Sequence, residues 1–194
     1  MSTRIEKDFL GTLEIPKDAY YGVQTTRAIE NFPITKMTMH PELIRAFAIV
    51  KKSSALANAA IGKLDATIAN AIAQASDDII KGHLHDQFVV DPIQGGAGTS
   101  MNMNANEVIA NRALEILGEE KGTYSIISPN SHVNMAQSTN DAFPSAIHIA
   151  TVTTLDKLIM AMEIMRDSFI QKSVEFDSIV KMGRTHLQDA VPIR

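Results

Sequence analysis

Cysteine and tryptophan are absent, and aromatic residues make up only 5% of the chain. Without cysteine there is no disulfide framework, no thiolate nucleophile and no cysteine-ligated metal. That suits a reducing compartment. There is also no excess of positive charge: 18 Lys and Arg are scattered against 22 Asp and Glu, for a net charge of −4. A basic stripe interleaved with aromatics, as nucleic-acid binding would need, is missing. No run approaches the roughly 20 apolar residues of a membrane helix. The opening stretch, "MSTRIEKDFLG", is charged where a signal peptide would be apolar. A soluble, cytoplasmic protein is expected, with neither nucleic acid nor membrane as partner.

The sequence has 194 residues, 45% of them hydrophobic. That is long enough to bury a core without staples. Residues 1–40 are irregular, and "GTLEIPKDAYYGV" favours short strands or a small hairpin. Helical spacing then takes over. Over 41–61, Pro41 suits a first turn and Leu43, Phe47, Val50 and Ala57 recur at helical intervals, with Gly62 as the stop. Over 65–81, Asp65 is the cap, Ile68, Ile72, Ala75 and Ile79 line one face, and Gly82 ends the helix. The stretch "HLHDQFVVDPIQGGAGTSMNMN" reads as a loop. A helix over 105–117 closes at Gly118, and 119–141 is loop again.

The longest periodic stretch is 143–176. Apolar residues cover most of its circumference, with Asp156, Glu163, Asp167 and Gln171 forming a narrow wet strip. Such a helix needs partners on several sides, so a helical bundle completed by other chains or by further sequence is expected. The fold class is therefore mainly α: an N-terminal helical domain (1–140) with a small irregular or β segment, followed by the first long helix of a central helical bundle (141–194).

Three segments group small polar side chains beside a glycine or a helix start: "GGAGTSMNMN", "QSTND" and "GRTH". Unpaired N–H groups and the helix dipole favour anions there. None brings dense positive charge, so the pattern suits a small carboxylate held by neutral donors. Each segment also has a plainer reading. "GGAGTS" can be a glycine turn with Thr99 or Ser100 as cap, but it is not a P-loop, since no lysine follows the glycines. "QSTND" can be a cap with surplus polar residues. His83 and His85 read as solvated loop residues rather than metal ligands. His148 reads as packed within the long helix, and His132 stays undecided. The methionines at 160, 162 and 165 read as core filler.

Taken together and in order, "GGAGTSMNMNANEVIANRA", "SPNSHVNMAQSTNDAFPSAIHIA" and "GRTHLQDAVPI" resemble the fumarase/aspartase superfamily. The resemblance runs from about Lys7 to the last residue. "GAGTS" and "STND" are similar to its aspartase form, where class II fumarases more often show "GSGTQ" and "SSND". The resemblance implies an ammonia-lyase that converts L-aspartate to fumarate and ammonia by anti-elimination through a carboxylate-stabilised carbanion, with no organic cofactor and no metal. It gives the substrate β-carboxylate to Thr99, Ser138 and Thr139. It sets Asn140 and His186 near the departing amino group and Thr185 at the α-carboxylate. Asp141 is left as a cap or loop anchor. The superfamily's general-base serine and carboxylate-binding lysine lie on a "GSSxMPxKxNP" loop that has no counterpart in these residues. The chain is thus expected to be an N-terminal portion of a homotetrameric enzyme, inactive alone, with no catalytic residue of its own. Where fumarases carry "HPND" as a secondary dicarboxylate-binding stretch, this chain departs from the pattern with "SPNS" at 128–131. Two other readings stand beside this one: a class II fumarate hydratase, and a non-catalytic helical module that binds dicarboxylates or serves in assembly.

Overall fold

Pro41 opens the first long helix of the computed structural model, which describes residues 2–194. That helix, α2 (Pro41–Ala60), is capped by the His40 imidazole, which accepts the Glu42 N–H. Ahead of it come a hairpin, β1 (Thr3–Asp8) with β2 (Gly11–Pro16), and α1 (Val23–Asn31). After it come α3 (Ala66–Ile80), α4 (Thr99–Ile116) and α5 (Thr139–Phe176). Single turns of 3-10 helix at His85–Gln87 and π-helix at Pro129–Val133 interrupt the loops. A second hairpin, β3 (Lys181–Thr185) with β4 (Gln188–Ile193), follows α5. The expected mainly α architecture is borne out, and β2 falls within the stretch read as β-prone, while β1 lies ahead of it.

Several ends sit where the sequence set them. Asp65 Oδ1 accepts the N–H groups of Thr67 and Ile68 and so caps α3. Gly62, Gly82 and Gly118 each follow a helix at positive φ. Two readings need correction. The face that α2 buries runs through Ile44, Phe47, Lys51, Ala55 and Asn58, while Ala57 is exposed. Moreover, α4 starts at Thr99, six residues before its expected start, so "TSMNMN" is helix rather than loop. Asparagines on its faces hid the apolar period, because they are themselves buried.

The chain divides into two compact units, one reaching to Thr151 and the other from Val152 to Arg194. In the first, one core joins α2, α3 and α4 through Phe47, Ile72, Ile79, Ile109 and Leu114. In the second, the α5 residues Val152, Leu158, Ile164, Phe169 and Val174 are exposed. Among the described residues no helix is long and apolar enough to cross a membrane.

The entry to α1 shows how polar groups settle in this core. Glu107 of α4 is 1% exposed, and its carboxylate accepts the N–H groups of Gly22, Gln24 and Thr25 at 2.8, 2.8 and 3.1 Å. It caps α1 from another helix, at the positive end of the α1 dipole. Glu6 takes the neighbouring Val23 N–H at 2.9 Å. Both acids approach this closely because residue 22 is glycine: a Cβ there would collide with Glu6, Tyr124 and Glu107. Burial pushes the Glu107 carboxyl up, against the pull of its three N–H donors. Arg27 clips the first hairpin to α1 by a paired bond to Asp8.

Glu107→Ala should lower unfolding stability by at least about 2 kcal/mol, since it strands two buried donors and one half-buried one. Glu107→Gln keeps an acceptor and should cost less. Urea unfolding of both variants checks this, and an unchanged midpoint for Glu107→Ala would refute the capping role.

Candidate active site

Two helix N-termini lie side by side in the first unit. The loop Gly95–Gly98 leads into α4, and residues 137 and 138 lead into α5. Gly98 at φ +88° lies against the Phe143 ring, so closely that a Cβ on Gly98 would overlap it. A cavity of about 340 Å³ opens between the two, lined by Pro92, Gln94, Gly96, Asn140 and Phe143 among others. Phe143 in turn meets Phe47 of α2 at 5.8 Å between ring centroids, which fixes the start of α5 on the core.

The polar residues from Gln137 to Asp141, at the start of α5, differ in their tasks. Gln137 faces inward. Ser138 is the cap: its Oγ accepts the Asn140 N–H at 3.1 Å, and its carbonyl oxygen accepts those of Asp141 and Ala142. Asp141, expected as a cap or loop anchor, cedes the capping role to Ser138. Because α5 begins at Thr139, the residue just before it holds the capping position. Asp141 lies in the first turn, where its charge meets the helix dipole favourably. Thr139 Oγ1 accepts a bond from Asn102 Nδ2 at 3.2 Å. Asn140 is exposed and faces the cavity.

Beneath this entry lies a residue that sequence reading missed. Lys51 of α2 is 0% exposed. Its Nζ donates to Asn102 Oδ1 at 2.7 Å, Asn134 Oδ1 at 2.9 Å and Gln137 Oε1 at 3.0 Å. Among the described residues no carboxylate forms an ion pair with it. Three amide oxygens match the three N–H bonds of an ammonium one for one. Burial pushes Lys51 down to about 7, while the three acceptors favour its protonated form. Ala136, in the left-handed region at φ 55°, turns the loop between Asn134 and Gln137 so that both amides reach the same nitrogen. A signal was present: Lys51 stands at i+4 from Phe47 and i−4 from Ala55, on the buried face.

The remaining residues singled out from sequence are placed as follows. Thr99 is the first residue of α4 and is exposed. Thr185 ends β3, and His186 with Leu187 forms the two-residue turn to β4, both at positive φ (50° and 61°). That geometry belongs to a type I′ hairpin. Both Thr185 and His186 are exposed and belong to the second unit. His132 Nδ1 accepts the Ser128 N–H at 2.9 Å and so stabilises its own turn. His85 Nε2 lies 2.9 Å from the Ile79 carbonyl oxygen. His148, expected to pack, is exposed. No cluster of three or more His, Cys, Asp or Glu that could hold a metal occurs among the described residues.

Residues 11–194 match a sequence family described as lyase. An aspartate ammonia-lyase from Bacillus sp is 67% identical over 190 residues, covering 98% of this chain and 41% of the relative. One from Escherichia coli K12 is 53% identical, covering 98% of this chain and 40% of the relative. The chain thus spans about two fifths of the length of the relatives it matches. Among solved structures, a fumarate lyase:delta crystallin from Brucella melitensis superposes with a TM-score of 0.88 at 52% identity, covering 99% of this chain and 45% of that one. A class II fumarase from Schistosoma mansoni gives 0.76 at 34% identity, covering 99% of this chain and 41% of that one.

Gly98→Ala should cost roughly 1–3 kcal/mol, from its positive φ and from crowding of Phe143. Phe143→Ala in the same chain should remove the crowding part, so the double variant should lose less than the sum of the singles. Thermal melts of the three variants decide it; strict additivity would show that the loop and α5 are not in contact.

Proposed function

The chain belongs to the lyase family, which its residues match from 11 to 194, and on that premise we propose that the protein of which these residues form part converts L-aspartate to fumarate and ammonia. One observation carries the reading: the cavity at the two helix N-termini, which joins the Gly-rich loop to Asn140 with hydroxyls adjacent in sequence on both sides. Neutral donors at helix N-termini suit a carboxylate. The names of the relatives support aspartate as its source.

The chemistry asks for such donors. A base takes a proton from the carbon next to the β-carboxylate, and the electron pair spreads into that carboxylate, which becomes a dianion. The C–N bond then breaks, ammonia leaves and fumarate remains. Donors that tighten as the second charge builds act on the transition state rather than on bound substrate. Thr99, Ser138 and Thr139 are the proposed donors. Ser138 and Thr139 each accept a bond on oxygen, from Asn140 N–H and Asn102 Nδ2 respectively, which leaves their own protons to give. Asn140, beside the cavity, is suited to the amino group. The resemblance alone assigns Thr185 to the α-carboxylate and His186 to the vicinity of the amino group. It also supplies the rest of the proposal: residues 1–140 as an N-terminal lyase domain, 141–194 as the start of a central bundle, a homotetramer in the cytoplasm, and a general base outside these residues.

A hybrid tests this: residues 1–194 joined to the remainder of the Bacillus subtilis relative, which is 65% identical over the shared part. Release of fumarate from L-aspartate is expected, with little dehydration of L-malate. Thr139→Ala and His186→Ala should each cut turnover by at least about tenfold. Malate dehydration without aspartate turnover would replace the reading by a fumarate hydratase. Binding of fumarate with neither reaction would replace it by a dicarboxylate-binding module. Unchanged kinetics in both variants would remove the residue assignments.

A further inference from the structure

The bond directions around Lys51 follow from which atoms can only donate and which can only accept. Asn134 Nδ2 donates to the Gln137 carbonyl oxygen at 3.1 Å, and Gln137 Nε2 to the carbonyl oxygens of Val133 and Met135 at 2.9 and 3.3 Å. Carbonyl oxygens only accept, so these two amides must turn their own oxygens toward Lys51. The protonated lysine only donates, so Asn102 must also present its oxygen to Nζ and turn its Nδ2 away from it. Nδ2 then meets Thr139 Oγ1 and Asn134 Oδ1, both at 3.2 Å. Thr139 Oγ1 is thereby an acceptor on its inner side, and its proton points elsewhere. With Asn102 only 2% exposed, no bulk water competes for this arrangement.

We propose that Lys51 is a positioning residue for the Thr139 side of the site: by holding the Asn102 oxygen it orients the amide so that Nδ2 occupies Thr139 Oγ1, which reserves the threonine proton for a substrate carboxylate. The inference rests on the reading of Thr139 as a carboxylate donor. Without the ammonium, only Asn134 Oδ1, 3.2 Å from Nδ2, still holds the Asn102 amide in this orientation, and the amide flips more readily. Its oxygen then accepts the Thr139 proton, and the donor turns inward. Lys51 touches no reacting atom in this scheme. It acts through Asn102.

Two variants separate this role from simple support of the fold. Lys51→Met keeps most of the side-chain length and removes the charge. Asn102→Asp gives Lys51 a carboxylate partner, which should preserve folding, but it replaces the Nδ2 donor by an acceptor and so captures the Thr139 proton. In the hybrid, each should lower kcat for L-aspartate by at least about tenfold with a smaller change in KM. Adding Thr139→Ala to either should cost little more, because both act on the same proton. Asn102→Asp that melts like the parent and keeps kcat within threefold would overturn the proposal, as would losses that multiply with that of Thr139→Ala. A readout without turnover accompanies these. In the 194-residue chain, the Asn102 side-chain amide protons should exchange slowly with water and shift in both Lys51→Met and Thr139→Ala. Resonances unmoved by either substitution would overturn the relay itself. If the unsubstituted hybrid turned over no aspartate, the functional reading and the use assigned to the relay would fall together, while the amide resonances would still report whether the relay exists.

Discussion

A helix buried on every side must still satisfy its polar side chains, and α4 carries five of them: Asn102, Asn104, Asn106, Glu107 and Asn111 are all essentially inaccessible. Two of the five serve loops that have no ladder of their own, and two serve the starts of helices. Asn104 accepts the Val89 N–H and donates to the Gln87 carbonyl oxygen. Asn111 accepts the Gly122 N–H and donates to the Tyr20 carbonyl oxygen. Glu107 takes the three N–H groups that begin α1, and Asn102 meets Lys51 and Thr139. Irregular backbone buried without partners would cost about as much per group as a lost hydrogen bond. In this molecule α4 supplies those partners, and the segments around it, those leading into α1 and α5 included, take their places from it.

The same constraint explains what the sequence did and did not disclose. Helix ends were legible because their causes are local: Pro41 at the start of α2, the Asp65 side chain on its own next turn, and glycines at positive φ after α2, α3 and α4. The start of α4 was not. Its first turns alternate methionine with asparagine, and burial of those asparagines is decided by partners tens of residues away. Asp141 resembled a cap in composition, yet capping depends on which residue precedes the first turn, and that residue is Ser138. The second hairpin was missed as well. Its turn uses His186 and Leu187 at positive φ, where sequence signals of such turns favour Asn and Gly. Motifs that bear hydroxyls were found by their chemistry. Lys51, which supports them, was passed over as an ordinary charged residue in a helix.

Lys51 and Glu107 present one problem with opposite signs. Each is an ionisable group withdrawn from water, and among the described residues neither is paired with an opposite charge. Desolvation of an ion costs several kcal/mol even after relaxation. Glu107 offsets it with backbone N–H groups at a helix start, Lys51 with three amide oxygens. In both cases oriented neutral dipoles replace the lost water. An ion pair would have neutralised the field of either group. Dipoles solvate the charge and leave much of its field in place.

That difference bears on the proposed chemistry. A lysine in direct contact with a substrate carboxylate would hold the ground state strongly, and binding shared equally with the transition state does not raise kcat. Set one amide behind the threonine, a cation contributes differently. It fixes which atom of Asn102 faces Thr139, so the hydroxyl is already aimed before substrate arrives and need not reorganise as the second charge develops. The hydroxyl then gives its strongest bond to the dianion. A neutral donor oriented by a buried cation can thus discriminate between two states of one carboxylate. In the proposed chemistry the three amide oxygens around Nζ thus belong to the site, although none of them lines the cavity.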